Sequence, residues 1–94
     1  MDLSVILVNY NSPHLVLDCV ASIYRETRQV SFEIIVVDNS PGDNDREVIL
    51  AKFPDTVWVR MGYNAGFARA NNAGIRVAKG EYVLVLNTDT IISD

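Results

Sequence analysis

Four short apolar runs set the limits on what this chain can become. Tyr82-Val83-Leu84-Val85-Leu86 is uninterrupted, and the runs at 3–8, 32–37 and 56–60 are nearly so. A strand with one wet face alternates apolar and polar residues. A strand covered on both faces does not, and near-continuous runs are the habit of parallel sheets held between helices. The intervening segments read as helices. Ser12-Pro13 offers a hydroxyl N-cap and then a proline, whose missing N–H costs nothing at the first helical position. From there to about residue 27, Leu15, Cys19 and Ile23 share one face with Val16, Val20 and Tyr24 beside them. A second helix is predicted over about 43–53, acidic at its start as the helix dipole prefers. A third is predicted over about 65–79, with Asn64 as N-cap and Gly80 closing it as the residue just past the C-cap.

This β-α-β-α-β-α-β alternation has no linker, repeat or low-complexity tract, so residues 1–94 read as one domain. The pattern predicts a three-layer α/β/α fold with a mainly parallel sheet in strand order 3-2-1-4, because crossovers are right-handed and helices must cover both faces. The winding reverses between strands one and four. Ligands of open α/β sheets bind outside the carboxyl ends of the strands at such a reversal. Three polar loops meet there: Asn9-Tyr10-Asn11, Asp38-Asn39-Ser40 and Asn87-Thr88-Asp89.

Side chains two apart on extended backbone point the same way, so Asn87 and Asp89 address one ligand. An oxygen pair of this kind suits a hard cation such as Mg²⁺ or Mn²⁺. The glycine pattern of dinucleotide binders is absent after strand one, and so is a P-loop. His14 has no partner histidine and reads as a surface residue, while Cys19 reads as core. The segment from Asn64 to Gly74 is rich in small residues. It serves either close helix–sheet packing or an approach to a diphosphate with a contact from Asn72 or Arg69.

A formal charge of −4 argues against a nucleic-acid surface, so nucleic acid is not an expected partner. One cysteine precludes an internal disulfide and points to a reducing compartment. The apolar runs are far shorter than the roughly 20 residues that span a bilayer. Met1-Asp2-Leu3-Ser4 lacks the basic start of a secretory signal.

Four segments in register carry a resemblance. Val5-Ile6-Leu7-Val8-Asn9-Tyr10-Asn11, Ile34-Ile35-Val36-Val37-Asp38-Asn39-Ser40, Asn64-Ala65-Gly66-Phe67 through Asn72-Ala73-Gly74, and Gly80-Glu81-Tyr82-Val83-Leu84-Val85-Leu86-Asn87-Thr88-Asp89 cover nearly the whole chain. Together they resemble the nucleotide-binding half of family 2 glycosyltransferases of the GT-A fold, most closely the rhamnosyltransferase-type branch, where the Asp-x-Asp element often reads Asn-x-Asp. The resemblance implies the donor-binding part of an enzyme that moves a sugar from a nucleotide-diphospho-sugar to an acceptor hydroxyl, in bacterial polysaccharide biosynthesis. It implies that Val8, Tyr10 and Asn11 line the base and ribose pocket. Asp38 would bond the base of a UDP- or dTDP-linked donor, and Asn72 would lie near the diphosphate. Asn87 and Asp89 would stand for the Asp-x-Asp element, with Asp89 the metal ligand for Mn²⁺ or Mg²⁺.

Asparagine at 87 removes one negative charge from that element, which makes cation affinity lean on the nucleotide's own phosphates. The family's members run longer, so the chain is expected to be a fragment, inactive alone, without the carboxylate base and the site for a saccharide or lipid-linked acceptor. A cytoplasmic location is expected, at the inner face of the membrane in the full-length protein. Strand four would then be an apolar sheet edge, which predicts self-association. Two other functions compete: a stand-alone nucleotide-binding or interaction module without transfer chemistry, and a nucleotidyltransferase. The second would favour a glycine-rich, basic loop after strand one, and residues 9–13 have none.

Overall fold

The computed structural model describes residues 1–42 and 44–88. The elements follow as β1 (Leu3–Asn9), α1 (Pro13–Glu26), β2 (Phe32–Asp38), α2 (Asp45–Lys52), β3 (Val57–Arg60), α3 (Phe67–Val77) and β4 (Tyr82–Leu86). All pairings are parallel and the sheet order is β3-β2-β1-β4, as the alternation predicts. Among the described residues no helix is long and apolar enough to cross a membrane.

The continuous apolar runs of β1 and β2 feed two cores at once. Val5, Leu7, Ile34 and Val36 face α1 and α2, where they meet Val16, Cys19, Val20, Ile23 and Ile49. Ile6, Ile35 and Val37 face the other way and meet Ala70 of α3. Each fully buried aliphatic side chain contributes roughly 1.5–3 kcal/mol of transfer free energy, so the larger core lies under α1 and α2. Tyr24 closes its edge. Its ring stacks on Phe53 with centroids 5.4 Å apart and tilts against Phe32 at 5.2 Å.

The α3 layer is thin because it sits close. A Cβ on Gly74 would come within 2.8 Å of Ile6 Cγ2 and 3.1 Å of Val37 Cγ2. Of the two roles open to the small-residue segment, Gly74 therefore serves close packing.

Four expectations need correction. The third helix starts at Phe67 rather than residue 65, because Gly66 adopts φ +88°, a left-handed value that no helix accepts. Asn64 does not cap it; its Oδ1 accepts instead from the Gly66 N–H, a local turn. The helix ends at Val77, two residues early, and Gly80 is not its closing glycine. Gly80 packs against β1, where a Cβ would lie 2.5 Å from the Ser4 backbone nitrogen. The Gly80 N–H donates to Ser4 Oγ at 2.7 Å, and the Lys79 N–H donates to Glu33 Oε2 at 2.7 Å. Those bonds halt the helix. Finally, β4 is not covered on both faces. Among the described residues it pairs only with β1, and Tyr82 to Val85 are exposed, Tyr82 by 71%. The expected second helix begins at Asp43, which lies outside the described residues; α2 is observed from Asp45.

Candidate functional site

Between the carboxyl ends of β1 and β4, where the winding reverses, an open hollow of about 300 Å³ forms. Val8, Tyr10 and Ser12 line it from the end of β1, and Asn39 from the end of β2. Asn64 and Phe67 line it at the entry to α3, and Leu86, Asn87 and Thr88 at the end of β4. Strand alternation explains the membership. Val8 packs with the α3 core, and its i+1 neighbour Asn9 turns to the opposite face.

On that opposite face Asn9 is fully buried and its amide is a hub. Nδ2 donates to Asp38 Oδ1 at 3.1 Å and to Asp45 Oδ2 at 3.0 Å, and Oδ1 accepts from the Ser12 N–H at 3.1 Å. Asp38 Oδ1 also takes the Ser40 N–H at 3.1 Å. Ser40 Oγ accepts from the Asn11 N–H at 2.8 Å, which holds Asn11 at φ +52°, a value asparagine tolerates better than most residues. The backbone adds Asn39 N–H to Asn9 carbonyl at 2.8 Å. These bonds fasten the β1 loop to the β2 loop. Asp38 Oδ2 is buried without a partner among the described residues, the one acceptor of the network left open.

Asn39 does a second fastening. Its Nδ2 donates to the Gly66 carbonyl at 3.2 Å and its Oδ1 accepts from the Ala65 N–H at 3.3 Å. The left-handed Gly66 and the side chain of Asn39 together set where Phe67, 55% exposed, meets the hollow.

Of the residues named from sequence, Val8, Tyr10 and Asn87 come together in the hollow. Asn11 and Asp38 do not line it; Ser40 bonds to both of them, and Asp38 is wholly buried. Asn72 is not there; it lines a second hollow with Arg69 and Arg76. Asp89 lies outside the described residues. Ser12, Asn64 and Phe67 line the hollow without having been placed there, and Asn39 and Thr88, expected there only as members of the polar loops, line it without having been given a role. For Asn39 the signal was available: Val37 faces α3, and Asn39, two residues on, continues that face. Among the described residues no three His, Cys, Asp or Glu side chains gather as a metal site.

A parallel sheet in this order, with a polar hollow at the reversal point, is the architecture of the N-terminal part of a GT-A glycosyltransferase fold. The chain belongs to glycosyl transferase family 2, whose family model matches residues 4–94. It is 36% identical over 95 residues to glycosyltransferase GlyG of Streptococcus pneumoniae, covering 98% of this chain and 31% of that protein. It is 35% identical over 94 residues to poly-beta-1,6-N-acetyl-D-glucosamine synthase of Staphylococcus epidermidis, covering 98% of this chain and 23% of that one.

Among solved structures it resembles S. aureus TarS in complex with UDP, with a TM-score of 0.84 and 25% identity over 99% of this chain and 29% of that one. It also resembles the mannosyltransferase PcManGT of Pyrobaculum calidifontis in complex with GDP-Man and Mn²⁺, with a TM-score of 0.82 and 26% identity over 98% of this chain and 28% of that one. The chain therefore spans less than a third of the length of these proteins.

Proposed function

We propose that these residues bind the nucleotide-diphospho-sugar donor of a glycosyltransferase and are inactive without further chain. The observation that carries this is the hollow itself, lined by aromatic Tyr10 and Phe67, by Asn39 and, at the β4 end, by Asn87. Aromatic rings offer a base a face to stack on. Asn87, at the β4 end, is our choice for the diphosphate end, with Asp89, two residues further in the sequence, as the carboxylate for Mn²⁺ or Mg²⁺. A cation there offsets charge on the leaving nucleotide.

Val8, Tyr10 and Asn11 border the base and ribose, and Asp38 supports them through Asn9 and Ser40; its unpartnered Oδ2 is buried, so the β1 and β2 loops must part for it to accept from the N3–H of uracil or thymine. The solved relatives named with UDP and with Mn²⁺ support a nucleotide donor and a divalent cation. Those with GDP-Man show that the fold alone does not choose the base. Our choice of a UDP- or dTDP-linked donor rests on Asp38, and that of a rhamnosyltransferase-type branch on the Asn-x-Asp element. The acceptor, a saccharide or lipid-linked hydroxyl, and the base that deprotonates it would come from other residues, at the cytoplasmic face of the membrane.

Calorimetric titration tests the reading. UDP or dTDP is expected to bind more tightly than ADP or GDP, and Tyr10→Ala to cost about 1–3 kcal/mol of that affinity as a lost stacking face. Equal or stronger purine binding would refute the base assignment. Unchanged UDP affinity in Tyr10→Ala would remove the nucleotide from this hollow. A stand-alone binding module is the alternative, and a longer reading frame that transfers sugar would exclude it.

A further inference from the structure

Charge is segregated along this chain. Its 12 acidic residues all lie outside residues 56–80, a stretch that holds Arg60, Arg69, Arg76 and Lys79. Four cations and no acid give that stretch +4 within a chain of −4. Arg69 and Arg76 are seven residues apart on α3, two helical turns, and so share a side. They line one hollow of about 290 Å³ with Asn72, Ala73, Met61 and Tyr63. Neither arginine makes an ion pair or hydrogen bond with a described residue. The hollow shares no lining residue with the one between β1 and β4.

We infer that this second hollow is a binding site for a phosphate group, as a mono- or diester, separate from the nucleotide hollow. Its lining supplies two guanidinium forks, an amide and a phenol, with no carboxylate to compete. A carboxylate offers two coplanar oxygens, enough for one fork. A phosphate presents oxygens in a tetrahedral array and takes both forks with the Asn72 amide besides. The unbroken absence of acids from 56 to 80 keeps the local field favourable to an anion despite the chain's net charge.

The test uses the chain with inorganic phosphate in one arm and phosphatidylglycerol vesicles, against phosphatidylcholine, in the other. The double variant Arg69→Ala, Arg76→Ala is expected to weaken binding by about tenfold or more. The same variant is expected to leave UDP affinity unchanged, so this site and the nucleotide reading fail or stand separately. Both side chains are exposed, and circular dichroism checks that the variant folds. Arginine-dependent binding of soluble phosphate assigns the site to a free ester. Arginine-dependent binding to anionic vesicles alone assigns it to a lipid headgroup. Binding to neither probe, or binding that the variant leaves intact, overturns the proposal. So does one-for-one displacement of phosphate by UDP, which would make these arginines part of the nucleotide's own diphosphate subsite.

Discussion

Asn9 and Asp38 stand opposite each other at the ends of neighbouring parallel strands, and the Asn9 amide donates to the Asp38 carboxylate at 3.1 Å. The same amide reaches Asp45 at the start of α2 and takes the Ser12 N–H before α1. One side chain thus ties two strands to two helix starts. Asn9→Leu removes both donors and leaves Asp38 buried beside an apolar group. The expected loss is about 1–3 kcal/mol, read as a lower urea midpoint, because the buried Asp38 carboxylate keeps only the Ser40 N–H as donor and the Ser12 N–H loses its acceptor. An unchanged midpoint would mean that the loops are held by the backbone alone.

Close packing of α3 makes a second prediction. Gly74→Ala gains up to about 1 kcal/mol of helix propensity but drives a methyl onto Ile6 and Val37, an overpacking cost of about 1–3 kcal/mol. Net destabilisation is expected. Gly80→Ala is expected to be worse, because its methyl meets the backbone of Leu3 and Ser4, which cannot turn aside. Thermal melts of the two variants rank them, and the reverse order would contradict the packing argument.

For the cation, Asp89→Ala is expected to abolish the tightening of Mn²⁺ binding by a nucleoside diphosphate and leave the melting temperature in place. Asn87→Ala, which removes only a neutral oxygen, is expected to do less. If Asp89 merely capped a turn, its loss would lower stability by about 0.5–2 kcal/mol and spare the coupling. Melting and Mn²⁺-dependent nucleotide affinity, measured on one variant, separate the two roles.

Alkaline pH probes the aromatic edge. Burial first, and then the Asp55 carboxylate, push the Tyr24 phenol above its ordinary value near 10. The folded state thus favours the neutral phenol. That stabilisation is fully present below the unfolded value and is lost as pH rises through the folded one. Tyr24→Phe is expected to flatten the alkaline limb of the stability profile above pH 10 and leave neutral pH nearly unchanged. An identical limb in the variant would assign it to other groups.

The exposed row Tyr82, Val83, Leu84 and Val85 on a strand paired on one side favours association between chains. Light scattering is expected to show a dimer that Val85→Lys disperses. A monomer at high concentration would count against it.

Much of this was legible in the residues. Near-continuous apolar runs located all four strands, although the most continuous of them, β4, is exposed from Tyr82 to Val85 rather than covered on both faces. The boundaries of α3 were not legible, because a glycine in a helical stretch reads as a weak helix former until its φ is known. Gly66 proved to be left-handed, and Gly80 a contact with β1 rather than a cap. The hollow's position followed from strand order, and its aromatic Tyr10 from the loop after β1. Asn39 was passed over for its charged neighbour Asp38, although alternation along β2 turns Asp38 inward and Asn39 to the hollow. Asn72, placed near the diphosphate by resemblance, lines the hollow of Arg69 and Arg76.

The side-chain bonds that tie β1 and its flanks to β2 and its flanks share one span. Asn9 to Asp38, Asn11 to Ser40, Ser4 to Glu33 and Asp2 to Ser31 are each separated by 29 residues. A single loop closure, with α1 inside it, brings all of them within reach, and its entropic cost is met once. The floor of the hollow and the first parallel pair therefore share a kinetic step. Anything that slows the α1 crossover would delay sheet and binding site by the same factor, and no state with the strands paired and the loops still apart would accumulate.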